Sequence, residues 1–367
     1  MAGIYVHIPF CARRCLYCGF FSTTRHSETE RYTDALCHEL YMMRDWFSGR
    51  AVRTVYFGGG TPSQLSLPQL SSILNGIRCL AGDTPDELTI ECNPDDVNPR
   101  FAAGLMEMGF DRISMGVQTF NDGLLRFLGR RHTAQQAVEA VRTCRDAGFR
   151  NISIDLMYGL PGQSAEMQQH DLETATGLGV QHISSYCLSY EDGSPLERLR
   201  LEGRLTPQGD DSCAEMFSRM CAHMKQAGYE HYEISNFALP GFRSRHNSSY
   251  WDGTPYLGLG AGAHSYDGHV RRWNVSDLDA YMRGIEDGVP EYGAEELTET
   301  DRFNERLMLG LRTCDGMAIS DKDFSLIAKA AAPYLDTGQL ICGKGRLRIA
   351  EDSLFISDRI ISDLFLD

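Results

Sequence analysis

Short apolar and β-branched runs recur along the first two-thirds of the chain, and each is followed by a stretch in which apolar residues return every three or four positions. The strand-like runs are Ile4–Ile8, Val52–Phe57, Glu87–Glu91, Arg112–Val117, Asn151–Met157 and His182–Ser189. Between them, Glu28 to Phe47 carries Tyr32, Leu36, Leu40 and Met43 on one helical face. A second helix runs through Leu70, Ile73 and Ile77, and a third spans Thr133 to Ala147. This alternation predicts repeated βα units on a parallel sheet. Six units are countable, so the expected fold is α/β, a partial and open (β/α)6 barrel. Further on, Asp211 to Gly228 and Arg302 to Leu311 read as helices and Gln339 to Ile349 as a hairpin, which predicts a C-terminal α+β winged-helix-like domain. The expected divisions are 1–235 for the barrel, 236–295 for a connecting segment and 296–367 for the C-terminal domain.

Sheets of this kind keep their chemistry at the C-terminal ends of the strands. The loop after the first strand reads Cys11-Ala-Arg-Arg-Cys15-Leu-Tyr-Cys18. Thiolates at this spacing reach neighbouring corners of an iron–sulfur cube and leave one corner unclaimed. Structural zinc takes four protein ligands, and no fourth Cys or well-spaced His lies just downstream, so zinc fits less well. A loop carrying Arg13 and Arg14 is not an apolar core segment either. The second strand runs into Gly58-Gly-Gly-Thr-Pro62, whose glycines let backbone N–H groups approach a ligand closely without matching a nucleotide-phosphate pattern.

Glu91 and Gln118 end the third and fourth strands, where residue type alone leaves a site role and a helix-capping or turn role both open. Asp155 interrupts an otherwise apolar strand, and a buried carboxylate needs a partner, for which Arg130 is the candidate. Near residue 246, Arg245-His246-Asn-Ser-Ser-Tyr250-Trp251 stands out; a His beside two aromatics is more often a packed loop than a ligand. The glycine run Gly258 to His264 reads as a tight packing turn.

With 367 residues, 42% of them hydrophobic, the chain is long enough for one large core and a smaller unit. A net charge of -15 and a pI near 5.2 argue against broad binding to nucleic acid or anionic lipid. The winged-helix-like region is itself acidic, with Asp301, Glu305, Asp321, Asp323, Glu351, Asp352, Asp358, Asp363 and Asp367, so a lid or partner-docking role is expected in place of DNA binding. Twelve cysteines, no signal-peptide pattern and no run of about 18 apolar residues predict a reducing, cytoplasmic setting without disulfides.

The opening Tyr5-Val-His-Ile-Pro-Phe-Cys11, continuing to Tyr17-Cys18, resembles the radical S-adenosylmethionine (SAM) superfamily. More closely it is similar to the oxygen-independent coproporphyrinogen III oxidase family, with its YxHIPFCxxxCxYC opening. GGGTP, IECNP, SMGVQTFN, LGRRH and IDLMYGLP extend the likeness. The resemblance implies a [4Fe–4S] cluster on Cys11, Cys15 and Cys18. It also implies a SAM site that uses Tyr5, Tyr17, Gly59, Gly60, Thr61, Glu91, Gln118, Arg130 and Asp155.

The later YEISNFA, HNSSYW and YLGLGAGAHS stretches resemble the branch of that family described as haem chaperones, in which an HNxxYW motif is associated with haem. That branch implies haem as a ligand, with His246 as an axial ligand or attachment point. Acceptor haemoproteins are the implied partners, with membrane respiratory enzymes as candidates. It also raises a homodimer and a peripheral position at the inner face of the membrane. Two departures from the oxidases favour the chaperone branch: Phe20 stands where they carry a fourth cysteine, and their segment before the first strand has no counterpart ahead of Ile4. The alternative is an enzyme that decarboxylates coproporphyrinogen III, and a third reading is a cluster-bearing electron carrier without radical chemistry, against which GGGTP, Glu91 and Asp155 argue.

Overall fold

The computed structural model describes residues 1–47, 49–82 and 85–366; Ser48, Asp83, Thr84 and Asp367 lie outside the described residues. Six parallel strands appear in chain order, β1 (Ala2–Ile8), β2 (Val52–Gly59), β3 (Glu87–Cys92), β4 (Arg112–Gln118), β5 (Asn151–Tyr158) and β6 (His182–Cys187). Helices fill the crossovers: α1 (Thr29–Met42), α2 (Leu67–Ala81), α3 (Pro99–Glu107), α4 (Asp122–Leu128) with α5 (Ala134–Ala147), and α6 (Ala165–Gly177). After β6 come α7 (Pro195–Leu201) and α8 (Asp210–Gln226). Local chemistry starts these helices where the sequence pattern predicts, for Ser66 and Thr133 each form a capping box with Gln69 and Gln136.

The alternation along the strands decides which face carries chemistry. Ile4, Val6 and Ile8 of β1, Val55 and Phe57 of β2, Leu88 and Ile90 of β3, and Ile113, Met115 and Val117 of β4 join the core beneath the helices. The intervening residues turn to the concave side and bond to one another across strands: Tyr56 to Glu91, Ser114 to Asp155, and Ser153 to His182. Asp155 is thus one of a row of polar concave residues and not a break in an apolar strand.

Residues 230–296, which include the expected haem-motif segment and connection at 236–295, extend the same sheet. The strands are β7 (Glu230–Glu233) and β8 (Asn236–Ala238) beyond β6, then β9 (Tyr256–Leu259), β10 (His264–Tyr266), β11 (Val270–Asn274) and β12 (Tyr292–Glu296) beyond β1. The glycine run contributes a strand because β9 lies parallel to β1, pairing Gly3–Val6 with Tyr256–Leu259. Gly258 and Gly260 then permit close approach: a Cβ on Gly258 would fall 2.0 Å from the His264 carbonyl oxygen and one on Gly260 2.5 Å from the Tyr32 hydroxyl. Short α9 (Arg245–Trp251) crosses the N-terminal ends of the barrel strands, and α10 (Leu278–Glu286) packs on α1.

The C-terminal unit has α11 (Glu299–Gly310), β13 (Met317–Ala318), α12 (Asp321–Asp336), β14 (Leu340–Gly343), β15 (Arg346–Ile349) and α13 (Ser357–Asp363), with a three-stranded sheet ordered β13-β15-β14. This is the winged-helix-like arrangement expected from the helix, helix and hairpin pattern. Among the described residues no helix is long and apolar enough to cross a membrane.

Candidate functional site

The cysteine loop lies over the C-terminal rim of the barrel and is tied down at several points. Cys11 N donates to Thr23 O at 2.8 Å, Leu16 N to Leu128 O at 3.1 Å, and Leu196 N to Leu16 O at 3.0 Å. Leu16 and Tyr17 pack on Leu124, Leu128, Met157, Leu160, Leu188 and Leu196, an apolar cluster separate from the main core. Beneath the loop is a cavity of about 650 Å³. Of the residues singled out in the sequence, it gathers Cys11, Cys15, Cys18, Tyr17, Gly59, Gly60, Thr61, Glu91, Gln118, Arg130 and Asp155, while Tyr5 and His246 are not in its lining.

The sulfurs receive donors: Thr61 Oγ1 lies 3.5 Å from Cys11 Sγ, and Arg130 Nη1 lies 3.5 Å from Cys15 Sγ. Burial pushes the Cys11 and Cys18 thiols above their ordinary value, so thiolates here call for an electron-pair acceptor. Among the described residues no three Cys, His, Asp or Glu side chains converge on one point to hold a single metal ion. Three thiols spread along a cavity wall fit a polynuclear group that spans them. Cys92 and Cys187 also reach this cavity, which strand periodicity concealed.

Gly59 has φ 109°, and a Cβ there would fall 2.5 Å from the His7 ring, while one on Gly60 would fall 2.7 Å from the Pro9 backbone. The turn is glycine-rich because the end of β1 leaves no room for side chains. Gly59 N donates to Glu91 Oε2 at 3.2 Å, and Tyr56 OH donates to Glu91 Oε1 at 2.7 Å. Burial, followed by the nearby charge of Asp155, raises the Glu91 carboxyl to about 7. Burial also raises Asp155, whose Oδ1 accepts from Ser114 Oγ at 3.4 Å.

Arg130 does not pair with Asp155 as expected. Its Nη2 donates to Asn93 Oδ1 at 2.7 Å and to the Gly116 carbonyl, which aims the guanidinium at Cys15. Gln118 sits at φ 71°, rare for a side chain with a Cβ, at the point where the β4–β5 register shifts. Asp171 of α6 holds that turn, accepting from Thr119 Oγ1 at 2.7 Å and Phe120 N at 2.6 Å. Asn93, Tyr56 and Asp171 escaped sequence reasoning. Asn93 was legible in IECNP beside Glu91, whereas Asp171 reads as any polar position of a helix.

Tyr5 lies one layer deeper, its hydroxyl 3.1 Å from His7 Nδ1 and its ring stacked on Tyr56. Burial lowers His7 to about 4, so the ring is neutral; its Nε2 donates to the Phe21 carbonyl at 2.9 Å and Nδ1 accepts from Tyr5. His246 is at the opposite end of the barrel, 1% exposed, with Nδ1 2.8 Å from Thr54 Oγ1 and Nε2 2.9 Å from Tyr250 OH. As placed it offers no free nitrogen to an iron. The cause is Glu87, which accepts from Arg245 N and His246 N at 2.9 Å each and turns the first residues of α9 inward. Trp251, at the other end of α9, faces a separate cleft of about 1230 Å³ bounded by α11 and α12.

Residues 5–175 match the radical SAM superfamily. The chain is 38% identical over 319 residues to the heme chaperone HemW of Lactococcus lactis, covering 86% of this chain and 82% of that protein. It is 37% identical over 317 residues to the heme chaperone HemW of Escherichia coli, covering 83% and 81%. The chain belongs to the HemW family of radical SAM proteins. This HemW-family chain shares its fold with the E. coli radical SAM enzyme coproporphyrinogen III oxidase (HemN), with a TM-score of 0.85 at 23% identity over 99% of this chain and 90% of the other. Superfamily membership implies a [4Fe–4S] cluster and SAM, and the cavity under the cysteine loop is where this chain assembles residues suited to them.

Proposed function

We propose that this protein is a haem chaperone that holds a [4Fe–4S] cluster through Cys11, Cys15 and Cys18 and binds SAM between that loop and the strand ends. In this reading Gly59, Gly60 and Thr61 receive the amino end of SAM, Glu91 and Asp155 accept from its hydroxyls, and Gln118 and Arg130 face its carboxylate. The cluster would supply one-electron chemistry when bound. The chain's own part is to hold and orient the ligand and to shield the rim with Leu16 and Tyr17. The observation that carries the chaperone reading is the 38% identity, over most of both chains, to a protein of that name.

Haem is assigned to the neighbourhood of α9. Trp251 shares its cleft with Arg302 and Lys322, which can meet the carboxylates of a flat ligand, although Asp252, Glu299, Glu305, Asp315 and Asp323 line it too and Arg306 pairs with Asp323 at 3.5 Å. Engagement of His246 as an axial ligand requires α9 to turn and give up the bonds to Thr54 and Tyr250, so haem uptake through this residue would be coupled to movement of α9. Delivery to acceptor haemoproteins completes the reading.

One sample tests both this reading and its rival. After anaerobic reconstitution of the cluster, haem titration should give a Soret band, and coproporphyrinogen III should be recovered unchanged. Turnover of coproporphyrinogen III would make the protein an oxidase despite Phe20, which stands 65% exposed beside the cavity.

A further inference from the structure

Arg112 opens β4 and is the bulkiest of the fully buried side chains, 1% exposed. A guanidinium stays protonated at any physiological pH, so the concave side of the barrel contains a permanent positive charge. Its Nε has no hydrogen-bond partner among the described residues. Register places Thr89 of β3 and Asn151 of β5 beside it in one layer, and Thr89 Oγ1 and Asn151 Oδ1 are likewise buried without partners. A buried cation with one unpartnered nitrogen, beside two other unpartnered polar atoms, is costly, and packing alone gives no reason for it.

What lies above it supplies a reason. On the same face of β4 the next residues are Ser114 and Gly116, whose register partners are Glu91 of β3 and Asp155 of β5. Both carboxylates face the cavity; burial pushes each toward the neutral acid, and the charge of Asp155 adds to this at Glu91. The charge of Arg112 opposes this at each of them.

Of the other charged groups around this layer, Arg130 at the rim also favours the charged form of Asp155, and the remaining groups add no positive charge. Tyr5 of β1, Tyr56 of β2 and Tyr232 of β7 are raised by burial and remain phenols. His7 of β1, His182 of β6 and His246 of α9 are lowered by burial and remain neutral. Glu87 is engaged by the N–H groups of α9, and Asp111 accepts from Leu88 N at 2.7 Å.

We propose that Arg112 is a positioning residue for nucleoside binding, the buried cation that favours the charged forms of Glu91 and Asp155 as acceptors for ribose hydroxyls. The proposal rests on the SAM reading of the cavity. Arg112 does not touch the ligand; it acts through the two carboxylates.

The test is calorimetric titration of SAM into the cluster-reconstituted full chain between pH 6 and pH 9, for wild type, Arg112→Met and Arg112→Lys. Raising Glu91 by one unit from about 7 cuts its charged fraction at pH 7 by about fivefold. Arg112→Met should therefore bind roughly fivefold more weakly than wild type at pH 7, with the deficit closing toward pH 9 as alkali ionises the carboxyls. Arg112→Lys, which keeps the charge, should stay within about threefold of wild type throughout. Equal affinity of Arg112→Met and wild type at pH 7, or a deficit unchanged between pH 7 and pH 9, overturns the proposal. If Arg112→Met does not fold, Arg112→Gln, which retains polar atoms in the layer, is read by the same criterion. Wild type that binds no SAM at any pH overturns the SAM reading and this assignment together, whereas wild-type binding with an indifferent Arg112→Met overturns this assignment alone.

Discussion

The two ends of the barrel are built from the same residue types to opposite purposes. At the C-terminal rim, Glu91, Asp155, Gln118 and Arg130 line an open cavity, and Glu91, Asp155 and Arg130 are each held by a neighbouring side chain. At the N-terminal floor, Thr54, Glu87, His246 and Tyr250 bond to one another. A polar residue on this sheet is available for ligands when its partners leave part of it unspent, and structural when they do not. His246 carries a motif associated with haem and yet sits, in this conformation, on the structural side of that line.

Cutting the rim completely is the strongest way to test the contrast. Cys11, Cys15 and Cys18 changed together to Ala should abolish the cluster, with iron after reconstitution falling from about four per chain to none while circular dichroism is retained. Single Cys92→Ser and Cys187→Ala variants should keep the iron, although both residues reach the cavity. Full iron in the triple variant would remove the premise that this loop is the ligand set.

The floor should respond in the other currency, stability. His246→Ala removes a fully buried ring and both its hydrogen bonds, so a loss of roughly 2–4 kcal/mol in denaturant unfolding is expected, with SAM affinity and iron content unchanged. A changed Soret band in the same variant would mean that α9 turns out to meet haem. An unaltered band assigns His246 to the floor alone.

Smaller effects are expected from single residues at the rim. Asp155→Ala and Gln118→Ala should each weaken SAM binding by about 1–3 kcal/mol, or about 5–150-fold, with thermal stability nearly unchanged and the cluster intact. Unchanged SAM affinity in both would show that facing the cavity is not the same as serving it.

The smallest expected signal is in pH dependence. The folded protein raises Glu91 to about 7 and Asp171 to about 6, above the ordinary carboxyl range. Such groups bind their protons more tightly folded than unfolded, so their contribution to stability is present at low pH and is lost as pH rises through the folded values. The denaturant midpoint of ligand-free Glu91→Gln should therefore rise relative to that of the wild type between about pH 4.5 and pH 7, the buried histidines being common to both. A wild-type-minus-variant difference that grows with pH over this window would contradict the sign.

Much of the rim was legible before any coordinates. Consecutive parallel strands bring their C-terminal ends together, so Cys11 to Cys18, Gly58 to Pro62, Glu91, Gln118 and Asp155 were assembled by topology from separate short stretches. Local chemistry fixed the helices for the same reason that it is readable, because a capping residue and its partner lie three positions apart. The succession of βα units and the placing of the cysteine loop after the first strand were therefore properties of the chain itself.

What the chain could not reveal are the facts that depend on partners distant in sequence. β9 reads as a glycine turn until β1 accepts it as a parallel neighbour, and α9 reads as a ligand motif until Glu87, about 160 residues earlier, captures its first N–H groups. Arg130 and Asp155 are opposite charges that the sequence invites to pair, but the carbonyl of Gly116 and the amide of Asn93 claim the guanidinium first. The buried charge of Arg112 is the same kind of fact: a strand's first residue reads as exposed, and only the closing of the sheet around it put that cation inside. Burial and partner choice are set by three-dimensional neighbours, and those alone decided which polar residues of this protein are spent and which are free.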